Sequence, residues 1–280
     1  MATKKAGSTA KKTTTKVRST TAKPSTTNVT TVKATSVSAS SAATRGRNKT
    51  FIAAALIGEF VGTFLLTVAF LGTKGDPLYL GFALAGIILM VGTLSGAHVN
   101  PAVTVGAWVT RKISSLRAVG YIVAQVLGAT LAFAALTMFL NAAPQPDAQS
   151  AAMMGQSTPQ LFKFAELTSS SEWVVFAVEL IAATIFTFAV AGARQITNDR
   201  TAKALTIGLG ILLAGVFATI AAGYVQAHAA FNPAVALAAQ AVDWSKINAM
   251  ALVVYLVAPL FGGVIGFALR DVLSSTEKKA

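Results

Sequence analysis

The chain of 280 residues contains no cysteine, which excludes disulfides, thiolate metal sites and a cysteine nucleophile. Charge is scarce as well: 12% of residues are Asp, Glu, Lys or Arg and 54% are hydrophobic, against roughly 25% charged in a soluble domain. A membrane protein is therefore expected. There are two histidines and ten acids, and no clustered nucleophile, base or metal-ligand set is visible. Neither an enzyme nor a cofactor is expected.

The first fifty residues lack acids and have almost no large apolar side chain, yet hold eleven of the 23 Lys and Arg. Such Thr-, Ser-, Ala- and Lys-rich sequence buries too little surface to offset the entropy of ordering, so residues 1–50 are expected to be a disordered basic tail. No apolar segment of about 7 to 15 residues precedes Phe51, so a cleavable secretory signal is not expected. A solvated tether, attraction to anionic lipid at about 1 kcal/mol per basic residue, and contact with nucleic acid all fit this composition.

Beyond the tail, apolar residues come in long runs. A hydrocarbon core of about 30 Å needs about 20 helical residues, and six stretches approach that length: 51–72, 79–94, 116–140, 172–193, 204–224 and 247–269. Basic residues then set the orientation. Outside the tail, Arg111, Lys112, Arg117, Arg194, Arg200, Lys203, Arg270, Lys278 and Lys279 fall on one side, and Lys74, Lys163 and Lys246 on the other. This predicts a multi-pass protein of the plasma or inner membrane with both termini cytoplasmic. The long connection from Asn141 to Ser171 is then extracellular.

The apolar region repeats itself. GEFVGTFLLTVAF in the first span parallels VELIAATIFTFAV in the fourth, aligning Glu59 with Glu179, and AQVLGATLAFAAL in the third parallels APLFGGVIGFAL in the sixth, aligning Gly128 with Gly262. Between spans two and three lies GAHVNPAVTVGAW, and between five and six QAHAAFNPAVALAA. Each half holds three spans, an odd number, so the halves are expected to be inverted about an axis in the membrane plane. The domain reading is a tail at 1–50, a membrane region at 51–270 with repeats near 51–140 and 172–270, and a C-terminal tail at 271–280.

Asn is a preferred helix N-cap, and Pro fits the first helical position, where its missing N–H would be unpaired anyway. Asn100-Pro101-Ala102 and Asn232-Pro233-Ala234 therefore each predict a helix start. Ten residues from each Pro make about 15 Å of helix, half the hydrocarbon thickness. Two half-helices entering from opposite faces meet near the midplane as one broken span. Their N-termini, each worth roughly +0.5 charge, repel cations there. The Asn amides can donate to a passing oxygen, and the carbonyls of Gly96 to Val99 and of His228 to Phe231 can accept along the approach.

With these motifs in place, the chain resembles the aquaporin, or major intrinsic protein, family, through SGAHVNPAVTVG, FNPAVALA, EFVGT at Glu59 and the later Glu179. The resemblance implies an all-α membrane fold of six transmembrane helices and two re-entrant half-helices, a homotetramer, and passage of water or small neutral solutes such as glycerol-like polyols and ammonia. It implies that Glu59 and Glu179 accept hydrogen bonds from backbone N–H groups of the two loops. Gln125 is read as satisfying a loop carbonyl. His98 is read as a packed ring or a pore-facing one, and His228, where the family usually has Gly, as a site for pH tuning.

The family's narrow filter, carried over by counting from the two Asn residues, falls on Leu80, Ile220, Ala229 and Val235. Val235 stands where the family usually has Arg. The resemblance therefore implies a wider, drier and uncharged constriction. A non-conducting or gated member of the same fold, and a secondary transporter coupled through Glu59 and Glu179, are the alternative readings.

Overall fold

The computed structural model describes residues 37–144, 149, 153, 159–243, 245 and 248–277. Residues from Thr44 onward form one compact unit, and among the described residues the secondary structure is entirely helical. The helices are α1 (Val37–Thr73), α2 (Pro77–Ser95), α3 (Pro101–Val109), α4 (Ser115–Ala142), α5 (Glu172–Ala193), α6 (Arg200–Gly223) and α7 (Pro233–Ala238). The last, α8, runs through Ala249–Leu252, a π-helical turn at Val253–Val257, and Ala258–Glu277.

Six of these helices, with α1 counted from Ile52, are long and apolar enough to cross a membrane. The sequence signals that start them are visible as caps. Asp76 accepts from the N–H groups of Leu78 and Tyr79 ahead of Pro77. Asn100 and Asn232 cap α3 and α7 ahead of Pro101 and Pro233, while Ser114, Asp199 and Asn248 cap α4, α6 and α8. These side chains satisfy N–H groups that a helix start leaves unpaired. α5 has no side-chain cap bond and starts with Glu172 in its first turn.

Helix α8 packs along α5 and α3, α2 and α5 both pack along α6, and α4 covers α7. Outward faces carry Phe82, Met90, Leu209, Leu213 and Phe261, a surface suited to hydrocarbon. Close approach depends on glycine at matching places in the two repeats. A Cβ on Gly128 would collide with the carbonyl oxygen of Phe60, and one on Gly262 with that of Leu180. Phe60 and Leu180 directly follow Glu59 and Glu179, so the same contact recurs in both halves.

Three expectations change. The expected disordered tail includes residues 37–50, which are helical as the start of α1, while residues 1–36 lie outside the described ones. α8 continues to Glu277, so the expected tail at 271–280 is helical as far as it is described, with Asp271 paired to Lys112 at 3.0 Å. The second half-helix has six residues rather than ten. Gln240 turns left-handed at φ 56 and Ala241 N–H closes onto the carbonyl of Ala236. Arg111 at φ 60 ends α3 in the same way, with Lys112 N–H on Ala107.

Candidate functional site: two capped loops meeting at an asparagine pair

Two polypeptide loops, residues 96–100 and 228–232, enter from opposite ends of the bundle and stop at Asn100 and Asn232. Each turns back through a residue in the left-handed region, Val99 at φ 43 and Phe231 at φ 39. For a β-branched or bulky residue this conformation is strained by roughly 1–3 kcal/mol.

The strain is held by buried carboxylates. Glu59 Oε1 accepts from His98 N–H at 2.9 Å, and Oε2 from Val99 N–H at 2.7 Å. Glu179 accepts from Ala230 and Phe231 N–H, both at 2.8 Å. Both acids are 0% exposed. A two-oxygen acceptor on successive N–H groups fixes the loop direction at both ends of the site.

The turned residues aim their carbonyls across the site. Asn100 Nδ2 donates to the carbonyl oxygen of Phe231, and Asn232 Nδ2 to that of Val99, each at 3.0 Å. The other end of each amide caps its own helix: Asn100 Oδ1 accepts from Ala102 N–H at 2.7 Å, and Asn232 Oδ1 from Ala234 N–H at 3.1 Å. Of the two N–H groups on each amide, one is spent on the partner loop. For the other, no partner is seen among the described residues.

The repeats differ around their acids. Gln125 Nε2 donates to Glu59 Oε2 at 2.7 Å and to Thr104 Oγ1 at 2.9 Å. Gln125 was expected to satisfy a loop carbonyl; it supports the carboxylate instead, because α4 brings it beside Glu59 rather than beside the turn. Thr104 donates its one hydrogen to the carbonyl of Asn100. His98 Nδ1 lies 3.2 Å from the same hydroxyl. The His98 ring is buried against Tyr121, centroids 5.3 Å apart.

A cavity lies at each end. One, of about 300 Å³ on the side of Arg111 and Arg270, is lined by Ile88, Gly92, Gly96, Arg194 and Lys203 among others. Gly96 ends α2 at φ 92. The opposite cavity, also about 300 Å³, is lined by Phe70, Phe162, Thr219, His228 and Ala229 among others.

Of the four residues carried over as a filter, Ala229 lines this second cavity, Leu80 is buried on the inward face of α2, and Val235 is 1% exposed at the start of α7. Ile220 is corrected. It continues the outward stripe Leu209, Leu213 and Val216 on α6 and is 56% exposed, while Thr219, with Ala222 and Gly223, lines the cavity. Counting back from Asn232 lands one residue too far along the helix, a rotation of about 100°.

Comparison with known proteins agrees with this geometry. The family model described as "Major intrinsic protein" matches residues 47–269. The chain belongs to the major intrinsic protein family. This major intrinsic protein is 30% identical to the glycerol uptake facilitator protein-like 6 of Lactiplantibacillus plantarum, over 79% of the chain and 98% of that relative. It is 27% identical to aquaporin Z of Photorhabdus laumondii, over 81% and 98% respectively. Among solved structures, the aquaglyceroporin from Plasmodium falciparum shares the fold with a TM-score of 0.64, at 24% identity, covering 82% of this chain and 100% of that one. The chain is accordingly a multi-pass membrane protein and a passive channel for water or small solutes, not an enzyme.

Sequence reasoning missed Thr219 and Phe162 at the second cavity, and Phe164 and Tyr255, which contact His228. The available signal was LFKF at residues 161–164, which holds the two aromatic residues of the connection from Asn141 to Ser171.

Proposed function

We propose that this channel passes water together with less polar neutral solutes, of the size of glycerol or ammonia, through a constriction that lacks a fixed positive charge. Val235 carries the reading. It follows Asn232-Pro233-Ala234 directly, its side chain has neither charge nor hydrogen-bond donor, and its own N–H lies 3.4 Å from Asn232 Oδ1. Leu80 and Ala229 add no charge, and Thr219 adds one hydroxyl. Without Arg, cation exclusion is left to the N-terminal ends of α3 and α7, whose dipoles point toward the asparagine pair. The likeness to relatives named as a glycerol facilitator-like protein and an aquaporin supports both permeant classes.

The channel is further proposed to form a homotetramer with both termini cytoplasmic, following the excess of Lys and Arg at that face. The basic residues 1–50 are proposed to rest against anionic lipid head groups rather than nucleic acid.

The test is stopped-flow flux in proteoliposomes for water, glycerol, ammonia and protons, with the native chain and Val235→Arg. Solute flux without proton flux is expected from the native chain, and a lowered glycerol flux from Val235→Arg. A proton conductance comparable to solute flux, or a substitution without effect, overturns the proposal.

A further inference from the structure

The side chains of Val235, Leu80 and Ala229 hold no hydrogen-bond donor, and the cavity that Ala229 lines is also lined by a group that can supply one, His228. The connection between α4 and α5 brings Phe162 and Phe164 against His228. The rings of Phe162 and His228 meet edge-on, centroids 4.8 Å apart at 89°, and Phe164 lies 5.6 Å from His228. Phe70 backs both phenylalanines at 5.8 and 6.0 Å, and Tyr255 packs on Phe164 at 5.3 Å. Tyr255 also donates to the carbonyl of His228 at 3.4 Å. It sits in the π-helical turn of α8, a local widening that re-aims side chains and often marks a functional position.

The tautomer of His228 is set by its hydrogen bond. Nδ1 accepts from the Ala165 N–H at 3.3 Å, so in the neutral ring the proton resides on Nε2 and is available as a donor. This ring lines the cavity of about 300 Å³ together with Thr219, Gln226, Phe70, Phe162 and Ala229. Lys74 at the rim is the charged residue lining it. The cavity thus offers uncharged donors beside aromatic and methyl surface.

Resting on the channel reading above, we propose that His228, held by Ala165 and Phe162, is a selectivity residue. Its Nε2–H binds the acceptor oxygen of a small neutral solute whose C–H edge lies against Phe70 and Phe162. It supplies, without charge, the donor that Val235 lacks. The solute class is a polyol or amide with acceptor oxygens on one edge and carbon on the other.

Two measurements test this. In proteoliposomes, the glycerol-to-water permeability ratio of His228→Phe, which keeps a ring in the aromatic cluster, is expected to fall about threefold to tenfold, the worth of one net hydrogen bond. His228→Gln, which restores a donor, is expected to recover part of it. An unchanged ratio in His228→Phe, while the native protein conducts, overturns the proposal and leaves the channel reading standing; a native protein that conducts neither solute overturns both.

The second measurement needs no substitution at the site. The chain has two histidines, so nitrogen-15 magnetic resonance of histidine-labelled protein, with the His98 signal assigned by its loss in His98→Gln, should show the neutral ring of His228 protonated on Nε2. The Nε2 signal is expected to shift on adding glycerol. An Nδ1-protonated His228, or an Nε2 signal indifferent to glycerol, overturns the proposal.

Discussion

Asn100 and Asn232 exchange hydrogen bonds with each other's loops: each amide donates at 3.0 Å to the carbonyl directly preceding the other asparagine. Each residue is therefore both the cap of its own helix and the lock on the opposite loop. The two half-helices are held as one unit, although they lie far apart in the chain.

Removing one lock should cost more than removing a cap. Asn100→Ala gives up a capping bond, typically about 0.5–2 kcal/mol, and leaves the Phe231 carbonyl without its donor, at about 1–3 kcal/mol. A loss of about 2–4 kcal/mol is expected by thermal unfolding in detergent. Because the two asparagines share one network, the double variant should depart from additivity by about 0.5–3 kcal/mol. Strict additivity would mean that the crossing bonds carry no coupling.

The glycine contacts admit a matched control. Gly128→Ala and Gly262→Ala push a methyl into the carbonyls of Phe60 and Leu180, and overpacking of this kind costs about 1–3 kcal/mol. Gly72, within α1, has nothing within 4 Å of such a methyl. Gly72→Ala should be neutral or stabilising by up to about 1 kcal/mol. Melting temperatures of the three variants should separate cleanly into these two groups.

The two carboxylates are unequal. Glu59 accepts two loop N–H groups and the Gln125 amide, while Glu179 accepts its two loop N–H groups. Glu59 also takes a hydrogen bond from the Ser95 side chain, so in Glu59→Gln the amide keeps one acceptor oxygen for four donors, against two donors in Glu179→Gln. Glu59→Gln should therefore destabilise more than Glu179→Gln, by about 1–3 kcal/mol, one buried unsatisfied group. Adding Gln125→Leu should narrow that gap; a gap that persists would show that Gln125 is not its source.

At the surface, Lys112 and Asp271 pair at 3.0 Å with side chains 37% and 44% exposed. Exposed pairs contribute about 0–1 kcal/mol. Asp271→Asn should shift stability by no more than that, and by less as salt is added. A larger, salt-independent loss would mean that α8 depends on this contact to dock against the end of α3.

Some of this was legible in the residues themselves. Asn-Pro-Ala starts a helix by local rules, and the runs of apolar residues were long enough to be read as spans. The alignment of Glu59 with Glu179 and of Gly128 with Gly262 also recurs as matched contacts. The end of each half-helix was less accessible. Arg111 and Gln240 adopt left-handed backbone without being Gly or Asn, so neither carries the usual stop signal. Gln125 could not be assigned a partner because nothing local says that α4 brings it beside Glu59.

By itself, the sequence determined the class of molecule, the two helix starts and the absence of charge at Val235, because hydropathy, capping and adjacency are properties of neighbouring residues. Only the tertiary structure decided that Thr219 rather than Ile220 meets the cavity, and that Phe162 reaches His228. The first is a helix rotation, set by packing against α2 and α5. The second joins residues 66 positions apart, and contacts at that separation arise from how the bundle closes rather than from any local preference.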